Sequence, residues 1–223
     1  IRKSDVIFQG KKWFLNKTDE DVKLKFDHDF KTFRLDSLIA SHEEELVTLA
    51  GDITNKETKD LHLDFKDVEV SSITSPIDSL KLKGHIDGVL SLQQVNGNYS
   101  PSSQLTVKGF EVNETPLGDF DLSITGNEDL SLYDVSAELK DDLQKTFTAT
   151  GTINTSEGNS QINVNAVFKD FNLVALSPLG GEVLDNIRGL NSGQAKITGR
   201  LRKPDINDSL QLNDAGLGIP YLN

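Results

Sequence analysis

The stretch Phe168-Lys169-Asp170-Phe171-Asn172-Leu173-Val174-Ala175-Leu176 decides the fold, because its skeleton is written twice more in the chain. The other copies are Phe30-Lys31-x-Phe33-x-Leu35-x-x-Leu38 and Phe65-Lys66-x-Val68-x-Val70-x-x-Ile73. Each copy closes an alternating run: Leu24, Phe26, His28, Phe30; then Leu61, Leu63, Phe65; then Ile162, Val164, Ala166, Phe168. Residues two apart share one face of a strand. After each Phe-Lys the parity flips, since Phe33, Val68 and Phe171 lie three positions on. Three flips at one place in the phrase predict a repeated turn or bulge.

Strand candidates recur roughly every 8–12 residues, the spacing of an all-β architecture. They include Leu61–Phe65, Val68–Ile73, Leu80–Ile86, Val89–Val95, Leu105–Val112, Phe120–Ile124, Leu130–Leu139, Phe147–Ile153, Ile162–Phe168 and Phe171–Leu173. Turn clusters such as Asn96-Gly97-Asn98 and Gly126-Asn127-Glu128-Asp129 separate them. One helical signal stands out: Val183, Leu184, Ile187 and Leu190, spaced i, i+1, i+4, i+7, predict a short helix near 182–190.

A longer unit encloses the phrase. Val47-x-Leu49-x-Gly51-x-Ile53 answers to Phe147-x-Ala149-x-Gly151-x-Ile153, and Ser75-Pro76 to Ser177-Pro178, at an offset of about 100 residues. The organisation expected is a remnant of a preceding repeat over 1–45, one unit over 46–145 and a second, truncated unit over 146–223. Together they make one continuous elongated domain. The chain opens on Ile1 and has no Met, which reads as a segment of a longer protein.

Composition narrows the function classes. Only 36% of residues are hydrophobic, which suits a thin sheet with one apolar and one wet face. The formal charge of −12 argues against nucleic acid as a partner. With no cysteine there is no disulfide, thiolate metal site or cysteine nucleophile. His28, His42, His62 and His85 show no metal-ligand spacing, with His28 on the apolar parity and His62 and His85 on the wet one. No nucleophile elbow, P-loop or dinucleotide fingerprint occurs, and no carboxylate pair is placed in a cleft. The expectation is a non-enzymatic protein without cofactor, metal or catalytic residues. Asp-Ser-Leu at 36–38, 78–80 and 208–210 reads either as an O-glycosylation acceptor or as a turn leading into a strand.

A sheet with one continuous apolar face must bury it against another sheet, itself or a ligand. Parity nominates Leu61, Leu63, Phe65, Val68, Val70, Ile162, Val164, Phe168, Phe171 and Leu173 as the floor of such a groove.

The last third carries an ordered series of motifs: Phe168 to Leu179, Ile187-Arg188-Gly189-Leu190, Ser192-Gly193-Gln194-Ala195-Lys196-Ile197-Thr198-Gly199, Pro204-Asp205-Ile206-Asn207 and Leu210-x-Leu212-Asn213-Asp214-Ala215-Gly216-Leu217-x-Ile219-Pro220-Tyr221. This series resembles the TamB family of translocation and assembly module proteins, within the AsmA-like and bridge-like lipid-transfer superfamily. The likeness covers 147–223 and, more weakly, 47–117; Asp208 stands where the pattern favours Gly. The resemblance implies a β-taco, an antiparallel sheet curled into a U-shaped groove. It also implies a periplasmic segment of a Gram-negative cell envelope whose parent is anchored in the inner membrane by an N-terminal helix not present here. The work implied is lipid transport, with phospholipid acyl chains in the groove, or outer-membrane protein assembly with a BamA-like barrel such as TamA. The segment itself is expected to be monomeric. Two rival expectations are a β-augmentation scaffold for outer-membrane proteins and a β-rich structural or adhesin spacer with a closed core.

Overall fold

The computed structural model describes residues 4–16, 24–29, 31–74, 81–141, 144–156, 158, 160–175 and 185–218. Nearly all of them lie in one antiparallel sheet. Its strands are β1 (Ser4–Phe8), β2 (Lys11–Leu15), β3 (Leu24–Phe26), β4 (Phe33–His42), β5 (Glu45–Asn55), β6 (Thr58–Glu69) and β7 (Leu82–Val95). They continue as β8 (Asn98–Val112), β9 (Thr115–Gly126), β10 (Leu132–Asp141), β11 (Gln144–Asn154), β12 (Gln161–Asn172), β13 (Asp185–Arg200) and β14 (Lys203–Gly218). Each strand pairs with the next as a meander, except that β2 pairs with β4 and β3 hangs off β4. The sheet does not close: β1 and β14 are its two ends. This is the all-β architecture that the alternation predicts, in the form of the curled antiparallel sheet that the motif resemblance implies.

Several candidate strands merge. Leu61–Phe65 and the start of Val68–Ile73 form β6, and Ile162–Phe168 joins Phe171 in β12. The parity flip between them is a bulge, so the chain stays in the ladder instead of turning. Register slips between Phe65 and Val68 and again between Phe168 and Phe171. At the slip Asp67 and Asp170 adopt φ of 52° and 50°, a left-handed conformation that Asp tolerates better than most residues.

The two bulges are supported in the same way, main-chain N–H to a side-chain oxygen of the next strand. The Asp67 N–H donates to Asp87 Oδ1 at 3.0 Å, and the Asp170 N–H donates to Ser192 Oγ at 2.8 Å. Asp87 and Ser192 each precede a glycine that faces the phrase's Phe: Gly88 opposite Phe65, Gly193 opposite Phe168. Both glycines have φ of 140°, and a Cβ on either would overlap the backbone of the next strand. A third bulge of this kind, Val107-Lys108-Gly109-Phe110, has Gly109 at φ 58° with its N–H bonded to Asp119 Oδ1 at 2.9 Å. The sequence reading missed it, because Val and Gly replace the Phe and Asp of the phrase.

The first copy differs. Lys31 and Thr32 donate their N–H groups to Asp27 Oδ1 in a turn joining β3 to β4. Phe30 lies outside the described residues. Leu24 and Phe26 are exposed, and His28 is fully exposed in the turn rather than on an apolar face. β3 is three residues long and pairs only along β4, at the side of the main path of the sheet, which leaves its side chains in solvent.

The helical signal also moves. Residues 185–190 open β13, and 182–184 lie outside the described residues. Of the four apolar residues of that signal, Ile187 and Leu190 lie in β13, where register slips on both sides of Arg188, with Gly189 at φ 108°, break the period of two; Val183 and Leu184 lie outside the described residues. Among the described residues the one α-helical turn is α1, Val70–Ile73, directly after the β6 bulge. Its counterpart after the β12 bulge is a 3₁₀ turn at residues 173–175.

Bulges sharpen local twist, and here they gather near the α1 end of the strands. The resulting curl is visible in contacts that a flat sheet forbids. Lys11 Nζ of β2 lies 2.7 Å from Glu69 Oε2 at the end of β6. On a flat sheet those strands would stand about 14 Å apart, three spacings of 4.8 Å. Phe171 of β12 shares a buried cluster with Leu139 of β10 and Leu117 of β9.

Candidate functional site

Register places the apolar residues in rows that cross the sheet. One row reads Leu38, Leu49, Leu63, Leu90, Ser103, Ile124, Val135, Gly151, Val164, Ile197, Ile206 from β4 to β14. Its neighbour reads Ala40, Val47, Phe65, Gly88, Leu105, Leu122, Ala137, Ala149, Ala166, Ala195, Asp208. Eleven strands thus present one nearly unbroken apolar face, and among the described residues no second sheet covers it.

The face divides into a packed half and a shallow half. Near α1, Trp13, Val68, Val70, Ile86 and Val107 form one buried cluster. Leu117, Leu139, Phe171 and Ala175 form the next. The turns at 70–73 and 173–175 cap these clusters, placing Val70, Ser72 and Ala175 inside. A polar knot fixes the corner: Lys11 Nζ donates to Glu45 Oε1 at 3.0 Å, Glu69 Oε2 at 2.7 Å and Ser72 Oγ at 2.6 Å, and Ser72 Oγ donates to Glu45 Oε1. The hydrogen bond from Lys11 holds the Glu69 carboxyl below its ordinary range.

Toward the other rim the same face stays half-buried. Leu61, Leu63, Leu90, Leu92, Ile124 and Val135 are all partly exposed, and Leu49 is 39% exposed. Of the ten residues nominated from parity, Leu61, Leu63, Phe65, Ile162, Phe168 and Leu173 are half-buried, and Val68, Val70, Val164 and Phe171 are buried. All but Val70 and Leu173 sit on strands of this one face; those two belong to the capping turns. Ser103 and, at the β14 end, Asp208 are the polar exceptions in these rows, and the Ser103 hydroxyl is buried without a hydrogen-bond partner.

The opposite face is polar and largely self-paired. Asp87 bonds Lys108 at 2.8 Å, and Lys140 bridges Asp121 at 3.0 Å and Glu138 at 2.8 Å. The Lys108 ammonium, then the Asp67 N–H, hold Asp87 below its ordinary range; the Thr106 hydroxyl, then Lys140, do the same for Asp121. A depression of about 530 Å³ lies among these groups, lined by Asp87, Gln104, Asp121 and Glu138. It is a dip between ion pairs, on the side away from the apolar rows. His62 and His85 lie on this wet face beside Asp60 and Asp67. The Asp-Ser-Leu tripeptides at 36–38 and 208–210 fall within β4 and β14, not in turns, and 78–80 lies outside the described residues.

Among the described residues no cluster of three or more His, Asp or Glu could hold a metal ion. Comparison of the chain with protein-family models, with curated proteins and with solved structures finds no match.

Proposed function

We propose that this chain is a non-enzymatic, TamB-like segment that holds the acyl chains of phospholipids, or of other lipids, along its apolar face. The observation that carries the reading is the pair of apolar rows crossing eleven strands, half-buried over one half and, among the described residues, covered by no second sheet. Each methylene buried there is worth about 0.8 kcal/mol, so a chain is held without any specific polar contact. The motif resemblance supports the same reading and adds its setting: a periplasmic bridge between membranes, with a BamA-like barrel as the parent's partner.

Photo-crosslinking along the face tests it. A benzoylphenylalanine at Leu63 or Leu90 is expected to capture phospholipid, and native mass spectrometry to find lipid on the folded chain. Leu63→Asp should abolish capture at Leu90 while the sheet stays folded, because Leu63 is only half-buried. A folded chain free of lipid in both measurements would exclude the groove reading.

One observation favours a second reading. The edge strand β14 is exposed from Lys203 to Ala215, with Ile206 at 63% and Leu212 at 57%. Such an edge accepts an added strand. Cross-links from Ile206 to an outer-membrane protein strand, with none to lipid at Leu90, would select a β-augmentation scaffold.

A further inference from the structure

At the shallow rim the apolar face ends in a cation. Lys59 of β6 stands on the same face as Leu61 and Leu63, two and four residues before them, and faces Gln94 across the β6–β7 ladder. Its ammonium donates to Gln94 Oε1, to Tyr99 Oη at 3.2 Å and to the Lys56 carbonyl at 3.0 Å. It also lies 5.1 Å from the centroid of the Tyr99 ring. All three acceptors are neutral. Among the described residues Lys59 has no carboxylate within ion-pair distance, although the chain carries 35 Asp and Glu against 23 Lys and Arg.

The surroundings hold this charge rather than merely tolerate it. Gln94 is 5% exposed, and its amide nitrogen is tied to the Gly97 carbonyl at 2.9 Å, which aims its oxygen at Lys59. Tyr99 accepts from Lys59, so its own hydroxyl hydrogen is free to point away toward an incoming acceptor. A fixed, uncompensated positive charge and an adjacent O–H donor at the mouth of an apolar surface suit a negatively charged head on an apolar tail.

We propose that Lys59 and Tyr99 form a head-group site for an anionic lipid whose acyl chain lies along Leu61, Leu63 and Leu92. The distance agrees. From Lys59 to Phe65 is about 20 Å of strand at 3.3 Å per residue, and one acyl layer of a membrane is about 15 Å deep. A chain anchored at Lys59 therefore ends before the packed cluster around Val68. The inference rests on the groove reading and adds a charge requirement to it.

cis-Parinaric acid and its methyl ester, fluorescent probes with one tail and differing in head charge, test the site on the full chain at low salt. The acid is expected to bind about tenfold tighter than the ester, the scale of one charge-assisted hydrogen bond. Lys59→Met should remove that preference, Lys59→Arg should keep it, and Tyr99→Phe should reduce it. Added salt should shrink it. Equal binding of acid and ester by the natural chain, or a preference that survives both Lys59→Met and Tyr99→Phe, overturns the site and leaves the groove standing. Failure of both probes to bind overturns the groove as well. Should Lys59→Met not fold, Tyr99→Phe decides.

Discussion

The main-chain N–H of Asp67 donates to the carboxylate of Asp87 on the neighbouring strand at 3.0 Å. This bond fills a gap that the β6 bulge opens in the ladder, and Ser192 fills the matching gap at Asp170. Asp87 is held in turn by Lys108, from the strand beyond it. Three consecutive strands are thereby locked at the level where the sheet bends.

The left-handed conformation at Asp67 sets the cost of changing it. Asp67→Gly is expected to leave stability within about 0.5 kcal/mol, since glycine adopts φ of 52° freely. Asp67→Val should cost about 1–2 kcal/mol, the penalty of a β-branched side chain in that region. Urea unfolding of the two variants measures the difference.

Gly193 has a harder constraint than conformation. A Cβ there would overlap the Ser209 carbonyl oxygen and come within 3.0 Å of the Leu210 Cα, both backbone atoms. Gly193→Val should therefore force β13 and β14 apart, costing about 3 kcal/mol. Gly10→Ala, with nothing within 4 Å, should cost about 1 kcal/mol through its φ of 75° alone. Melting temperatures of the pair give the contrast.

Lys11 holds the folded corner at α1. Its removal leaves Glu45, whose side chain is 11% exposed, as an uncompensated charge. Lys11→Met is expected to cost about 2–3 kcal/mol. Ser72→Ala, at a fully buried position, should cost about 1–2 kcal/mol. A double-mutant cycle by denaturant unfolding reads their coupling, which should be clearly non-zero because the two share Glu45.

Acid should loosen the bend. Asp87, Asp121 and Glu69 all titrate below their ordinary values of 3.8, 3.8 and 4.5 in the folded chain. A lowered folded value means that the unfolded chain binds more protons as pH falls, so stability rises with pH in that range. Stability from these groups should be complete above about pH 5 and fall away as pH drops through 4 and below. Asp121→Asn should flatten the fall in unfolding free energy measured between pH 6 and 3.

Much of the fold was legible because strand periodicity is a local property. The runs ending in Phe65 and Phe168 alternate, and the parity flip after each Phe-Lys is written into the residues themselves. The Val70–Ile73 interval also carries an i, i+3 spacing, although it reads equally as the tail of a strand. The helix expected near 182–190 shows the converse. Register slips around Arg188 put Ile187 and Leu190 three apart inside a strand, and that interval alone does not separate the cases. The bulge at Gly109 stayed hidden because its function lies in a backbone angle that Gly and Asp both satisfy.

The candidate groove was half legible. Parity named ten residues of one apolar surface, but depth within that surface depends on curl. Val68 is fully buried and Leu63 is not, though the bulge between them keeps both on one face. Lys59 carried no signal at all, since one lysine among 23 Lys and Arg looks like any other until its neighbours are known.

By itself the sequence determined which residues share a face, because side chains alternate with a period of two whatever the rest of the chain does. It also determined where that alternation breaks. Only the tertiary structure decided what the breaks accomplish. Bond partners for the bulges come from the neighbouring strand, and those bonds turn local kinks into a bend of the whole sheet. The bend then decides which apolar residues are sealed beneath the turns at 70–73 and 173–175. It also decides which residues remain open beside an unpaired charge, because exposure depends on residues far apart in the chain.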